Sequence, residues 1–311
     1  MTDPDPHLAE TQNRTIQTLL THARQQLADA GCDSPRLDAE LLLAHILGRE
    51  RTWLYRYPQA EVSKANLAAF LKLIDRRVQR EPVAYLIGHK AFYGLDFVVT
   101  PDTLIPRPET ELLVETAIAW AGASIRAQAE ASTHSQKPQY SIVDVGTGSG
   151  CIAVTLAKMV SEAHVTAVDL SDRALAVAHL NAERHEVADR MTFLIGDLLA
   201  SLRAPVDLIA SNPPYVDPDE LTSPFTAPEV HRYEPRLALD GGEAGLAVVQ
   251  RLLAQSPLFL KPGGMLLVEI GATQGNVVKK WAQAEFPTAL VEIKPDLAGW
   301  DRLLVVKNRV D

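Results

Sequence analysis

From about Leu8 to Arg80 the apolar positions recur at helical spacing. Ile16, Leu19, Leu20, Ala23 and Leu27 share one face of a predicted helix that ends near Gly31. Ser34 and Pro35 form an N-cap and first-turn pair for a second helix, with Leu41, Leu42 and Leu47 as its core face and Gly48 as its stop. Ser63 opens a third, in which Leu67, Phe70, Leu71, Ile74 and Val78 line one side before Pro82 closes it. The pattern predicts a small helical bundle over residues 1–81. Between Val83 and Thr100 the spacing shortens to that of strands, with Gly88 and Gly94 as turn residues, so 82–107 is expected to be a hinge hairpin and linker.

A second regime occupies 108–311. A helix is predicted from Glu109 to Trp120, and the polar, small-residue stretch 122–139 reads as a helix end or a loop. From Tyr140 onward strands alternate with helices: "SIVDV", "HVTAVD", "MTFLIGD", "VDLIAS" and "GGMLLVEI". Such alternation predicts an α/β domain with a doubly wound parallel sheet covered on both faces. The end departs from it, because "TALVEIKPD" and "DRLLVVKN" are strands with no helix between them and should pair antiparallel. A sixth parallel strand would have made a dinucleotide-binding fold. A terminal antiparallel hairpin in a Rossmann-like sheet instead resembles the class I methyltransferase fold.

Composition narrows the classes. The 311 residues are 47% hydrophobic and 22% charged, enough for packed cores, and the net charge of −9 argues against an extended nucleic-acid-binding face. The start, "MTDPDPHLAE", lacks the basic and apolar parts of a secretory signal, and no apolar run approaches the ~20 residues that span a bilayer. A cytoplasmic, monomeric protein without membrane contact is expected. Cys32 and Cys151 lie far apart without CxxC spacing, and the nine histidines show no H-x-x-H pairing, so neither a disulfide nor a metal site is expected. "KPGG" at 261–264 reads as a turn with a solvated lysine, and "RRVQR" at 76–80 as a solvated helix face.

The candidate chemistry sits at strand ends. "DVGTGSG" places Gly146, Gly148 and Gly150 between a buried strand and a helix, where backbone can approach a ligand closely. A dinucleotide fingerprint would need glycine where Cys151 stands, so the G-x-G-x-G spacing suits S-adenosyl-L-methionine, which brings no phosphate. Asp169 ends the next strand, where a carboxylate can take both ribose hydroxyls, although it could instead cap the following helix, as could Ser171 or Asp172. Asp197 follows the third strand and could accept from an adenine amino group, or be an ordinary turn aspartate.

After "VDLIAS" comes Asn212-Pro213-Pro214-Tyr215. Methyl transfer is an in-line displacement, so the acceptor nitrogen must be positioned along the axis of the breaking bond. An amide nitrogen is a poor nucleophile because its lone pair is delocalised. The Asn212 side-chain oxygen and the Pro213 carbonyl can accept its two N–H bonds, fixing the group and favouring the form in which charge develops on nitrogen. The prolines keep the corner stiff, and the Tyr215 ring can stack on a planar amide or base. The bland alternative is a proline turn that merely ends a strand.

With "TLIPRPETE" at 103–111, "EPVAYLIG", "YEPRLAL" and "GEAGL", the chain resembles the bacterial peptide chain release factor glutamine methyltransferases over nearly its whole length. The resemblance implies methyl transfer from S-adenosylmethionine to the glutamine of the Gly-Gly-Gln loop of class I release factors, with the N-terminal helices holding the partner. It also implies that Gly146, Thr147, Gly148, Ser149 and Gly150 hold the methionine part, Asp169 the ribose, Asp197 and Leu198 the adenine, and Asn212, Pro213, Pro214 and Tyr215 the glutamine, with Asn212 also expected to touch the cofactor. Leu198 stands where relatives often carry an aromatic residue, so stacking on adenine is expected to be weaker. Ribosomal-protein glutamine methyltransferases differ in the segment matching Pro106 to Glu111. An adenine-specific nucleic-acid methyltransferase would share the N-P-P-Y chemistry but should carry a basic recognition region and a base-flipping cleft. A non-enzymatic S-adenosylmethionine-binding scaffold is the remaining alternative, and an intact Asn212 to Tyr215 speaks against it.

Overall fold

In the computed structural model, residues 14–131, 140–223 and 226–309 are described. They fall into two compact units that divide between Gly88 and His89. The first holds α1 (Ile16–Asp29), α2 (Pro35–Leu47), α3 (Arg51–Arg56), α4 (Lys64–Val78) and α5 (Val83–Ile87). Helix α1 is amphipathic because Ile16, Leu19, Ala23 and Leu27 recur on one face, and they are buried against Leu42, Leu43, Leu54, Phe70 and Ile74. Any part of the first predicted helix before residue 14 lies outside the described residues. Ser63 caps α4 by accepting from Asn66 N at 3.2 Å, as expected from the sequence. Ser34 makes no such bond, and the buried apolar face of α2 is Ala39, Leu42 and Leu43, with Leu41 and Leu47 only partly buried. Gly48 ends that helix in the left-handed region.

The stretch "RRVQR" departs from the expected solvated face. Arg76 pairs with Glu81, but Arg77 follows Ile74 by one turn and is buried, its Nε donating to Asp38 Oδ2 at 2.8 Å. Both side chains of that pair are at least nine-tenths buried. Truncation would strand the Asp38 carboxylate in the core, so Arg77→Ala is expected to destabilise this unit by about 3–5 kcal/mol. Urea titration followed by circular dichroism reads the loss.

The region read as extended from Val83 is divided by the structure. Val83–Ile87 is a helical turn between Pro82 and a left-handed Gly88. Only β1 (His89–Phe92) and β2 (Leu95–Val98) form the antiparallel hairpin, in the register His89↔Val98 to Phe92↔Leu95. The hairpin belongs to the second unit, where Phe92 and Phe97 join the core formed with Leu113, Ile142 and Leu156.

In the second unit α6 (Glu111–Ala131) runs past Trp120, and 132–139 lie outside the described residues. Then come β3 (Tyr140–Val145), α7 (Cys151–Met159), β4 (Ala163–Asp169), α8 (Asp172–Arg184), β5 (Met191–Ile195) and β6 (Val206–Ser211). After β6 follow α9 (Pro218–Leu221), α10 (Pro228–Tyr233), α11 (Ala247–Phe259), β7 (Leu260–Glu269), α12 (Gly275–Glu285), β8 (Leu290–Pro295) and β9 (Asp301–Lys307). The seven-stranded sheet has the order β5-β4-β3-β6-β7-β9-β8. Five strands run parallel, and β9 lies antiparallel between β7 and β8, as the helix-free ending predicts.

Side chains on the central strands alternate between two cores. Ile142, Leu208, Leu267 and Val305 face one, and Val143, Ile209, Leu266 and Leu304 face the other. Burial on both faces accounts for the apolar content of these strands, which Asp144 in β3 interrupts. "KPGG" is part of β7 rather than a turn, with the β6–β7 register shifting between Val206 and Leu208. Lys261 Nζ donates to Asp207 Oδ2 at 2.8 Å and Ser141 Oγ at 3.1 Å instead of standing free in solvent. The strand order reverses at β3, which has β4 on one side and β6 on the other, and this opens a crevice at their carboxyl ends. Among the described residues no helix is long and apolar enough to cross a membrane.

Candidate active site

Three strand ends converge on that crevice. β3 leads into the glycine loop, whose Gly148 N–H donates to Asp169 Oδ2 at 2.9 Å across from the end of β4. The other Asp169 oxygen accepts from Ser171 N at 2.9 Å. Ser171, not Asp169, caps α8, accepting from Ala174 N at 3.1 Å, which removes the capping reading of this acid. Burial pushes the Asp169 carboxyl above its usual range, against these backbone N–H groups.

Asp144, one strand residue before Val145, is fully buried and was not anticipated. Its Oδ2 accepts from Thr147 Oγ1 at 2.7 Å and Ala153 N at 3.1 Å, tying the loop to the first turn of α7. Burial pushes its carboxyl up to about 7.

The loop, Asp169 and the N-P-P-Y segment line a cavity of about 360 Å³. Gly146, Thr147, Gly148 and Ser149 are on its wall, as are Asp197, Leu198, Asn212, Pro213 and Pro214. Two expected site residues lie off the wall. Gly150, at φ 79°, meets α8: a Cβ there would stand 3.0 Å from the Ala178 Cβ, so helix packing is what requires the glycine. Tyr215 is off the wall too, its hydroxyl tied to Glu269. Asp197 sits two residues beyond β5 and forms an ion pair with Arg251, also on the wall. Leu198 is buried at the edge of the second core.

The N-P-P-Y corner is held by a chain of polar groups. Ser211 Oγ donates to Val145 O at 2.7 Å, and Asn212 Nδ2 donates to Thr110 Oγ1 at 3.1 Å. Thr110 Oγ1 donates in turn to Glu269 Oε2 at 2.7 Å, and the Tyr215 hydroxyl donates to Glu269 Oε1 at 3.1 Å. Burial raises Glu269 above the usual carboxyl range and Tyr215 above the usual phenol range. Glu234, in "YEPRLAL", pairs with Arg107 and accepts from Ile105 N at 3.1 Å, so this segment and "TLIPRPETE" meet. Gln274 Nε2 donates to Tyr215 O at 3.0 Å and Gly245 O at 3.3 Å, clamping the corner to "GEAGL". Gly245 has no room for a side chain: a Cβ would stand 2.2 Å from Tyr215 O.

Sequence reasoning missed Thr110, Glu234, Glu269 and Gln274 as members of this site. Glu269 carried a signal, being the lone acid in the apolar run "GGMLLVEI", and a charge in a buried strand needs partners. Thr110 lay in a quoted motif without an assigned role.

The donor set fits S-adenosylmethionine better than a dinucleotide. The cations on the wall among the described residues, Arg107 and Arg251, are each paired with a carboxylate. The Gly148 N–H that a pyrophosphate would seek is already taken by Asp169. Carboxylates and backbone carbonyls suit a ligand of hydroxyls, amino groups and a sulfonium.

Residues 18–88 match the PrmC N-terminal domain and residues 128–232 the methyltransferase small domain. The chain is 41% identical over 305 residues to the release factor glutamine methyltransferase of Nitratidesulfovibrio vulgaris, covering 97% of this chain and 98% of that one. The corresponding protein of Moorella thermoacetica is 40% identical over 296 residues, covering 95% and 99%. Among solved structures, a methyltransferase from Pyrococcus furiosus superimposes with a TM-score of 0.50 at 18% identity, covering 76% of this chain and 99% of that one. The hMettl16 catalytic domain in complex with the MAT2A 3′UTR hairpin 6 gives 0.52 at 18% identity, covering 70% and 77%. At such identity the likeness is one of fold.

Proposed function

The chain belongs to the release factor glutamine methyltransferases, and from that premise we propose that it methylates the side-chain nitrogen of the glutamine in the Gly-Gly-Gln motif of class I release factors. S-adenosylmethionine, bound in the cavity, supplies an electrophilic methyl group. The residues around it bind and orient. Residues 146–149 bring backbone close to the methionine part, Asp169 accepts from the ribose hydroxyls, and Asp197 with Leu198 flanks the adenine. Asn212 Oδ1 and the Pro213 carbonyl accept the two N–H bonds of the substrate amide. Holding both N–H groups stops rotation out of line and favours the charge distribution that develops as nitrogen attacks. No strong base is required before attack, because the proton becomes acidic only after the methyl group has moved. Tyr215 contributes by anchoring the corner to Glu269.

One observation carries this reading. Asn212 Nδ2 is committed to Thr110, which leaves Oδ1 as the acceptor of that side chain, and Asn212 and Pro213 both line the cavity. Mass spectrometry of release factor incubated with the protein and labelled S-adenosylmethionine tests it. The expected result is one methyl group on the Gly-Gly-Gln glutamine, and preferential methylation of adenine in duplex DNA would overturn the assignment.

The cofactor half is tested separately. Charge-assisted hydrogen bonds to hydroxyls contribute roughly 1.5–3 kcal/mol, so Asp169→Ala is expected to weaken cofactor binding about tenfold to hundredfold in calorimetry. An unchanged affinity in the folded variant would mean that the ribose lies elsewhere.

A further inference from the structure

We propose that Glu269 and Thr110 are positioning residues that fix which end of the Asn212 amide meets the substrate. This rests on the reading of Asn212 as a substrate-amide acceptor. An asparagine side chain has a donor end and an acceptor end of nearly the same shape, so packing alone does not choose between the two orientations. Only the outward-facing oxygen can accept a substrate N–H. The outward-facing NH2 would oppose it.

The choice propagates from Glu269 by the polarity of each hydrogen bond. An ionised carboxylate can only accept, and Glu269 accepts from the Tyr215 hydroxyl on Oε1 and from the Thr110 hydroxyl on Oε2. Thr110 has a single proton, and it is spent on Glu269. Its oxygen can therefore only accept from Asn212, which must present Nδ2, at 3.1 Å. Oδ1 is thereby turned the other way. Glu269 is 1% exposed and Thr110 2%, so water does not compete for these bonds. The three residues come from separate elements, the 108–110 turn, the end of β7 and the end of β6, 159 residues apart between Thr110 and Glu269.

A glutamine at 269 has the same shape but can donate. Its NH2 can point at Thr110, the Thr110 proton is then free to turn toward Asn212, and the amide can flip with no loss of hydrogen bonds. Of the three residues only Glu269 titrates. Arg302 of β9 favours its ionised form and Glu109 opposes it, while the Cys151 thiol at the start of α7, pushed up to about 12, stays neutral. Burial is the largest influence and favours the protonated form, so acidification should undo the network first at this carboxylate.

The test uses the full-length protein with release factor and S-adenosylmethionine. Glu269→Gln and Thr110→Val are expected to lower kcat about tenfold or more while leaving the cofactor Kd and the KM for release factor within about threefold. Thr110→Ser keeps the hydroxyl and should restore most of kcat. Wild-type kcat should fall as pH drops through a midpoint above the ordinary glutamate range, and Glu269→Gln should lose the part of that limb due to Glu269 while keeping any part due to Asp144 and Asp169. A second readout needs no turnover: in ¹⁵N spectra the Asn212 side-chain NH2 should move in both Glu269→Gln and Thr110→Val and stay in place in Thr110→Ser. Wild-type kcat in Glu269→Gln, or Thr110→Ser as impaired as Thr110→Val, would overturn the proposal. Should the wild-type protein leave release factor unmodified, the function fails but the NH2 resonance still decides the network. If a variant melts early, Thr110→Ser against Thr110→Val remains the deciding pair.

Discussion

Asn212→Ala is expected to lose methyl transfer almost completely while binding cofactor nearly as well as the wild type. The side chain removed is one of the two acceptors for the substrate amide, and its contribution grows as charge develops on nitrogen, so the loss falls on kcat. Removing one preorganised electrostatic partner from an active site typically costs on the order of 10²–10³ in rate, and that range is expected here. Cofactor affinity should change little, because the glycine loop, Asp169 and Asp197 lie on other strand ends. Single-turnover kinetics with saturating release factor, alongside calorimetry of cofactor binding, separates the two. A variant that turns over within a fewfold of wild type would refute the role given to Asn212. Asn212→Asp, which keeps an acceptor oxygen but adds a charge, is a useful companion.

The second large effect concerns the N-terminal helices, to which we assign recognition of the release factor. Each unit has its own apolar core: Ile16, Leu42, Phe70 and their neighbours form one, and the two sheet faces form the others. A protein of residues 89–311 is therefore expected to bind S-adenosylmethionine. It should nonetheless lose activity on intact release factor by roughly 10² or more, because binding energy remote from the glutamine is what positions a weak nucleophile. For the same reason a short peptide carrying only Gly-Gly-Gln should be a poor substrate for the full-length protein. Equal kcat/KM for peptide and whole factor, or full activity of the 89–311 protein, would remove the docking role.

How much of this was legible beforehand varies by element. The alternation of strands and helices from Tyr140 onward announced a parallel sheet covered on both faces, and the helix-free interval before "DRLLVVKN" announced the antiparallel ending. Asp169 stands at the end of β4 where the alternation put it, and the glycine loop joins β3 to α7. The short helix Val83–Ile87 was not legible, because five residues are too few to show a helical period and the glycines at 88 and 94 look alike in sequence. Arg77 was misread for a related reason: its spacing from Ile74 puts it on the buried face, but only the arrival of Asp38 makes that burial tolerable.

The sequence by itself determined the succession of sheet strands from Tyr140 onward, the place of the glycine loop and the position of Asn212-Pro213-Pro214-Tyr215 at a strand end. These depend on periodicity and turn chemistry, which act between residues a few positions apart. Only the tertiary structure decided that Gly150 serves helix packing, that Glu234 joins Arg107, that Gln274 clamps the corner, and that Glu269 and Thr110 hold Asn212. The reason is physical. A buried polar group must find a partner, but many residues along a chain could serve, and the choice falls to whichever one long-range packing brings within hydrogen-bonding distance.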